Sequence, residues 1–154
     1  MQEKIALLHE LTNSLQPVRR AWKRAVSEVI ADYGISMSLA SAVVLVYRNP
    51  QGLNQKLLAE EIGINPGALV RLLDQASNEQ LLERREDTAD RRIKTLHILP
   101  KGTEIAVSIE RAADALRLEL MNDVDLAAIE QATQVLRLFE KRANEFVLQS
   151  KSNK

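Results

Sequence analysis

What most constrains the fold of this 154-residue chain is a change of hydrophobic period in its middle. Leu82-Glu83-Arg84-Arg85-Glu86 and Ile93-Lys94-Thr95-Leu96-His97-Ile98-Leu99 alternate with period two around the polar stretch Asp87-Thr88-Ala89-Asp90-Arg91-Arg92. Two short strands around a charged loop make a β-hairpin. Everything on either side steps at helical spacing, so the hairpin is an internal insert in a helical chain. Aromatic residues are only 3%, and glycine and proline number five and four, which favours helices over a sandwich or propeller. The fold class is therefore mainly α with a small β-hairpin.

Residues 5–33 read as the first helix. Leu8, Leu11, Leu15, Val18, Trp22, Ala25 and Val29 step by three and four, a narrow stripe of the kind that packs on another helix. Pro17 predicts a kink or a second piece beginning there, and Gly34 stands where a left-handed residue ends a helix. Ser36 or Ser38 caps a second helix through Val43 and Tyr47, and Asn49-Pro50-Gln51-Gly52 stops it. Residues 53–62 form a short helix closed by Gly63. Asn65 and Pro66 open another, as N-cap and first helical position. Helix returns over residues 103–121 and again over 126–149. In the last, Ile129, Ala132, Leu136, Phe139, Ala143 and Phe146 form a heptad seam. Residues 150–154 are expected to be a flexible tail.

The segment from Leu57 to Arg71 fits a helix-turn-helix. Ala59 is small where the second helix crosses, Gly63 permits the positive φ of the turn, and Ile62 and Leu69 form the core between the helices. Followed by a basic hairpin, this becomes a winged helix. The helix of residues 65–79 would enter the major groove of DNA, and the arginines of the loop the minor groove. Asp90 leaves open that Arg91 or Arg92 is held in a local ion pair.

Composition removes several other functions. Lys plus Arg equals Asp plus Glu at 21, but the positive charge is in blocks, at Arg19, Arg20, Lys23 and Arg24 and at Arg84, Arg85, Arg91, Arg92 and Lys94. With no cysteine there is no disulfide scaffold and no thiol sensor. His9 and His97 lack carboxylates at ligand spacing, so neither a metal site nor a cofactor is expected. No nucleophile–base set or phosphate-binding glycine loop suggests an enzyme. The longest apolar run, residues 39–47, is too short to span a bilayer, which points to a cytoplasmic protein with no membrane partner.

The run Asp87-Thr88-Ala89-Asp90-Arg91-Arg92-Ile93 through Gly102 resembles the wing signature of the MarR family of bacterial regulators, D-x-R-D-R-R, a strand, then glycine. Gly63 to Gln75 is similar to that family's recognition helix, most like the SlyA branch. The sequence departs from the family where Ala89 replaces a frequent arginine. It also has Pro66, Gly67 and Ala68 where Ser, Arg or Thr is common. The resemblance covers essentially the whole chain. It implies a winged helix-turn-helix over residues 35–102 and a helical dimerisation region from residues 1–34 and 103–149.

On this reading the protein is a homodimeric, sequence-specific DNA-binding regulator on a pseudo-palindromic operator. The family implies a repressor released by a small aromatic or phenolic ligand. The expected DNA contacts are Asn65, Pro66, Gly67, Ala68, Arg71, Arg91, Arg92 and Lys94. Leu8, Leu11, Leu15, Ile129, Leu136, Phe139 and Phe146 would form the dimer seam. Arg19, Arg20 and Trp22 are candidates to hold an aromatic anion, the alternative being that Trp22 is core and the arginines are solvated. The competing function is a winged-helix module that contacts proteins and not specific DNA.

Overall fold

A computed structural model describes residues 1–86 and 94–152. It contains six α-helices among the described residues: α1 Gln2–Val29, α2 Met37–Tyr47, α3 Gln55–Ile62, α4 Pro66–Asn78, α5 Pro100–Met121 and α6 Leu126–Ser152. Three strands, β1 Leu53–Asn54, β2 Leu82–Glu86 and β3 Lys94–Ile98, pair antiparallel in the order β1-β3-β2. The chain divides into two compact units, Met1–Leu116 and Arg117–Lys154.

Local chemistry sets most helix boundaries in the first unit. Ser36 caps α2 by accepting from the Leu39 amide at 3.2 Å, and Asn54 caps α3 by accepting from Lys56 at 2.8 Å. α1 is one helix with Pro17 inside it, not two pieces, and it ends at Val29. A 3-10 turn, Ala31–Tyr33, follows before Gly34 turns at φ 68°. The absent Pro17 amide is tolerable because this stretch of α1 is exposed, leaving the orphaned carbonyl to water.

The main core lies where α2, α3, α4 and the sheet converge. Leu39, Val43, Leu58, Leu73, Leu81 and Leu96 are the heart of it, each 2% exposed or less. Register explains the sheet's share: Leu53 stands opposite Leu96 and Leu82 opposite Ile98, so Leu53, Leu82 and Leu96 all reach the core. A second cluster joins Val26 and Ile30 to Ala40 and Ile109, with Trp22 packed against it. The sequence stripe named Ala25 and Val29, but the buried positions are Val26 and Ile30; Val29 is 36% exposed. A stripe drawn from apolar spacing alone cannot tell which edge meets α2 and α5.

Three further differences from the sequence reading have simple causes. The hairpin gains a third strand, because Leu53 and Asn54 pair with Leu96 and Thr95. α5 starts at Pro100, three residues early, since proline suits the first turn, where amides lack partners anyway. α6 runs to Ser152, past the expected tail boundary, with Ser150 and Ser152 bonded back to the Phe146 and Leu148 carbonyls.

Arg48, at the end of α2, is held to Glu110 of α5 by two bonds, Nε–Oε1 at 2.6 Å and Nη2–Oε2 at 3.0 Å. The hydrogen bond to Glu110 raises the Arg48 pKa, against the opposing effect of partial burial. The guanidinium fork thus fastens α2 to α5 beside the second cluster.

Candidate nucleic-acid interface

α4 has a buried and an open face. Leu69, Leu72, Leu73 and Ala76 pack into the core. Pro66, Gly67, Val70, Arg71 and Asp74 face solvent. The turn before it is closed twice on one acceptor, because Gly63 and Ile64 both donate to the Ala59 carbonyl, at 2.9 and 3.1 Å. Gly63 sits at φ 77°, the left-handed conformation that glycine adopts without a Cβ penalty. At the start, Asn65 Oδ1 accepts from the Ala68 amide at 2.9 Å; at the end, Lys101 Nζ donates to the Glu79 carbonyl at 3.0 Å. Both ends of the helix are therefore fixed before any ligand arrives.

This geometry sorts the residues expected to touch DNA. Asn65 has committed its oxygen to the cap, leaving its amide nitrogen. Pro66 and Gly67 are exposed but offer no polar side chain, and Ala68 is half-buried. Arg71 is exposed and forms no hydrogen bond or ion pair with any described residue. Its guanidinium is the strongest donor on this face. Val70, not among the expected DNA contacts, is 47% exposed beside it.

The sheet holds its cations in pairs. Arg84 Nη2 lies 2.5 Å from Asp74 Oδ1 and 3.4 Å from the Val70 carbonyl, tying β2 to α4. Arg85 pairs with Glu83. Lys94, an expected DNA contact, stands opposite Glu86 in register and binds it at 2.7 Å. Such exposed pairs are worth about 0–1 kcal/mol, so the Lys94 ammonium is transferable to a phosphate at small cost. Arg91 and Arg92 lie outside the described residues, with the rest of 87–93. The tie between Arg84 and Asp74 was missed by sequence reasoning, and no local signal marks it, because the two residues meet only when the hairpin folds onto α4.

The three candidate ligand residues on α1 diverge. Arg19 donates to the Glu61 carbonyl of α3 at 2.8 Å, and Trp22 packs against the second cluster. Only Arg20 lines an open groove, with Pro17, Lys23 and Arg24. Among the described residues no three His, Asp or Glu side chains converge as metal ligands, and no helix is long and apolar enough to cross a membrane.

On α1 the expected seam residues grade from open to half-covered, with Leu8 46% exposed and Leu11 and Leu15 half-buried. In the second unit, α6 has no buried residue along its length. Ile129, Leu136, Phe139 and Phe146 are 37, 41, 41 and 70% exposed.

Residues 33–93 match the family model described as MarR family. Similar structures extend the likeness beyond that segment. The transcriptional regulator PA3341 is 25% identical, with a TM-score of 0.76 over 86% of this chain and 98% of its own. A MarR transcriptional regulator from Methanosarcina mazei Go1 is 20% identical, with a TM-score of 0.73 over 90% of this chain and 99% of its own. CouR from Rhodococcus jostii RHA1, bound to p-coumaroyl-CoA, is 24% identical, with a TM-score of 0.69 over 80% of this chain and 86% of its own. The matched segment takes in α2, both helices around the Gly63 turn and β2, and the fold is shared well beyond it: over residues 33–93 the chain is similar to the MarR family, within a winged-helix fold that it shares with transcriptional regulators.

Proposed function

We propose that the protein binds a pseudo-palindromic DNA operator as a homodimer and represses transcription until a small aromatic anion releases it. The observation that bears most weight is the open face of α4, with its unpaired Arg71, on a helix capped at both ends and tied to the wing by Arg84. A recognition element must hold its shape before it meets DNA, and each of these contacts removes freedom that binding would otherwise have to remove.

The dimer is supported by α6. A 27-residue helix with Ile129, Leu136, Phe139 and Phe146 exposed leaves a long apolar seam in water. A second copy of the chain would bury it, and two-fold symmetry would set two α4 helices on half-sites about one helical turn apart.

For the effector, the aromatic acyl thioester bound by CouR supports an aromatic and anionic class. With Arg19 engaged by Glu61 and Trp22 by the core, the anion would meet Arg20, Lys23 and Arg24. Wing arginines Arg91 and Arg92 would enter the minor groove, where a narrow A·T tract concentrates negative potential.

The test is selection of a random-sequence duplex library on the purified protein, followed by fluorescence anisotropy of the enriched duplex across a salt series. A regulator of this kind enriches an inverted repeat, and its affinity falls steeply with salt as phosphate contacts release counterions. Absence of any enriched duplex at low salt would favour the protein-contact module, a reading to which the paired cations of the sheet lend some support.

A further inference from the structure

We infer that Val70 reads a thymine 5-methyl group in the major groove. The inference rests on the DNA-binding reading and adds a base and a position to it. It starts from what the fold leaves available on the open face of α4. Asn65 Oδ1 is held by the Ala68 amide, Asp74 by Arg84, and Gln75 donates to Glu79 at 2.8 Å. Pro66 and Gly67 offer no polar side chain. In the middle of this face Val70 and Arg71 are the exposed side chains that no described residue engages, while Asn65 keeps only its amide nitrogen.

Val70 sets an apolar side chain in water at the middle of that face. It is 47% exposed, and valine is a weaker helix former than the straight-chain polar residues suited to a solvated face. It also lies on the Arg84 tether, because Arg84 reaches both the Val70 carbonyl and Asp74. The backbone beneath this isopropyl group is therefore fixed by the wing.

Valine can neither donate nor accept a hydrogen bond, so the only base-edge group it can recognise is an apolar one. The major groove presents a single such group, the thymine 5-methyl. Arg71, adjacent in the chain, has the donor geometry for guanine O6 and N7. The pair would read a thymine and a guanine close together in each half-site, apolar contact at one and charged donation at the other.

The experiment removes the methyl without altering base pairing. The duplex enriched from a random library is resynthesised with 2′-deoxyuridine replacing each thymine in turn, and affinities are measured by anisotropy for the parent and for Val70→Ala. Val70 is exposed, so the variant should fold; its circular dichroism and light-scattering mass verify this. At one thymine per half-site, the parent should lose about fourfold in affinity, the effect of one methyl-sized group left in water. Val70→Ala should bind thymine and deoxyuridine there equally. Indifference of the parent at every thymine, or sensitivity kept in Val70→Ala, overturns the inference while the DNA reading stands. Enrichment of no duplex overturns both.

Discussion

Gly102→Ala should destabilise the fold although the same change in most helices is favourable. Gly102 is buried in the first turn of α5, and a Cβ there would lie 2.2 Å from the Leu81 carbonyl oxygen and 3.0 Å from Ile98 Cγ1. The Leu81 oxygen cannot simply retreat. It accepts from the Leu99 amide at 3.0 Å, and the Leu81 amide donates to the Ala76 carbonyl at 2.8 Å, so both backbone polar groups of Leu81 are engaged. Relief means opening the contact from 2.2 Å to beyond 3.0 Å, against a core in which Leu81 is 0% exposed. Overpacking of this kind costs about 1–3 kcal/mol, and loss of the buried Leu99 bond would add about 1–3 kcal/mol. The gain in helix propensity is about 1 kcal/mol. The balance is a loss on the order of 1–5 kcal/mol. Gly67→Ala supplies the opposite case, because its Cβ would meet only Asn65 Oδ1 at an ordinary 3.5 Å. That variant should gain about 0.4–1 kcal/mol by restricting the unfolded chain. Urea unfolding followed by circular dichroism, at one fixed protein concentration because association adds stability, measures both. A Gly102→Ala protein as stable as the parent would refute the close-approach reasoning.

Asn65→Ala should lower stability by about 1 kcal/mol through loss of the α4 cap, while Asn65→Asp keeps the acceptor and most of the stability; equal urea midpoints for Asn65→Ala and parent would contradict this. Arg91→Ala and Arg92→Ala should weaken operator binding, by about 1–3 kcal/mol for whichever arginine makes a groove contact. Anisotropy unchanged in both, with the fold intact, would remove the wing from the interface. Phe139→Glu should convert the proposed dimer to monomer by forcing an unpaired charge into the proposed α6 seam, read as a halved mass in light scattering; a variant still dimeric at micromolar concentration places the interface elsewhere. Lys94→Ala should reduce DNA affinity less than a wing-tip change, and should flatten the salt dependence by about one unit if Lys94 leaves Glu86 for a phosphate.

Local structure in this protein was written in short stretches of sequence. Ser36 and Asn65 act as caps, Gly63 takes the left-handed turn, and the strands of the hairpin begin within a residue or so of where alternation placed them. Each depends on backbone groups a few residues away, so neighbouring side chains suffice to specify it. The wing motif and the Gly63 turn likewise carry the resemblance to the family whose model matches residues 33–93.

Contacts that join distant segments were not written there. β1 is two residues long and exists only because β3 offers it a partner. Val26 and Ile30, not Val29, became core because α2 and α5 approach from that side. Lys94 and Arg84 read as free positive charge in the sequence, yet register set one opposite Glu86 and folding brought the other to Asp74. Asn65, a candidate base reader, gave its oxygen to its own helix cap, while Val70 and Arg71 stayed open on α4. Sequence determines periodicity, caps and turns because their energies are local. Which charges remain available, and which face of α4 is open, depend on long-range packing and pairing that only the tertiary structure decides.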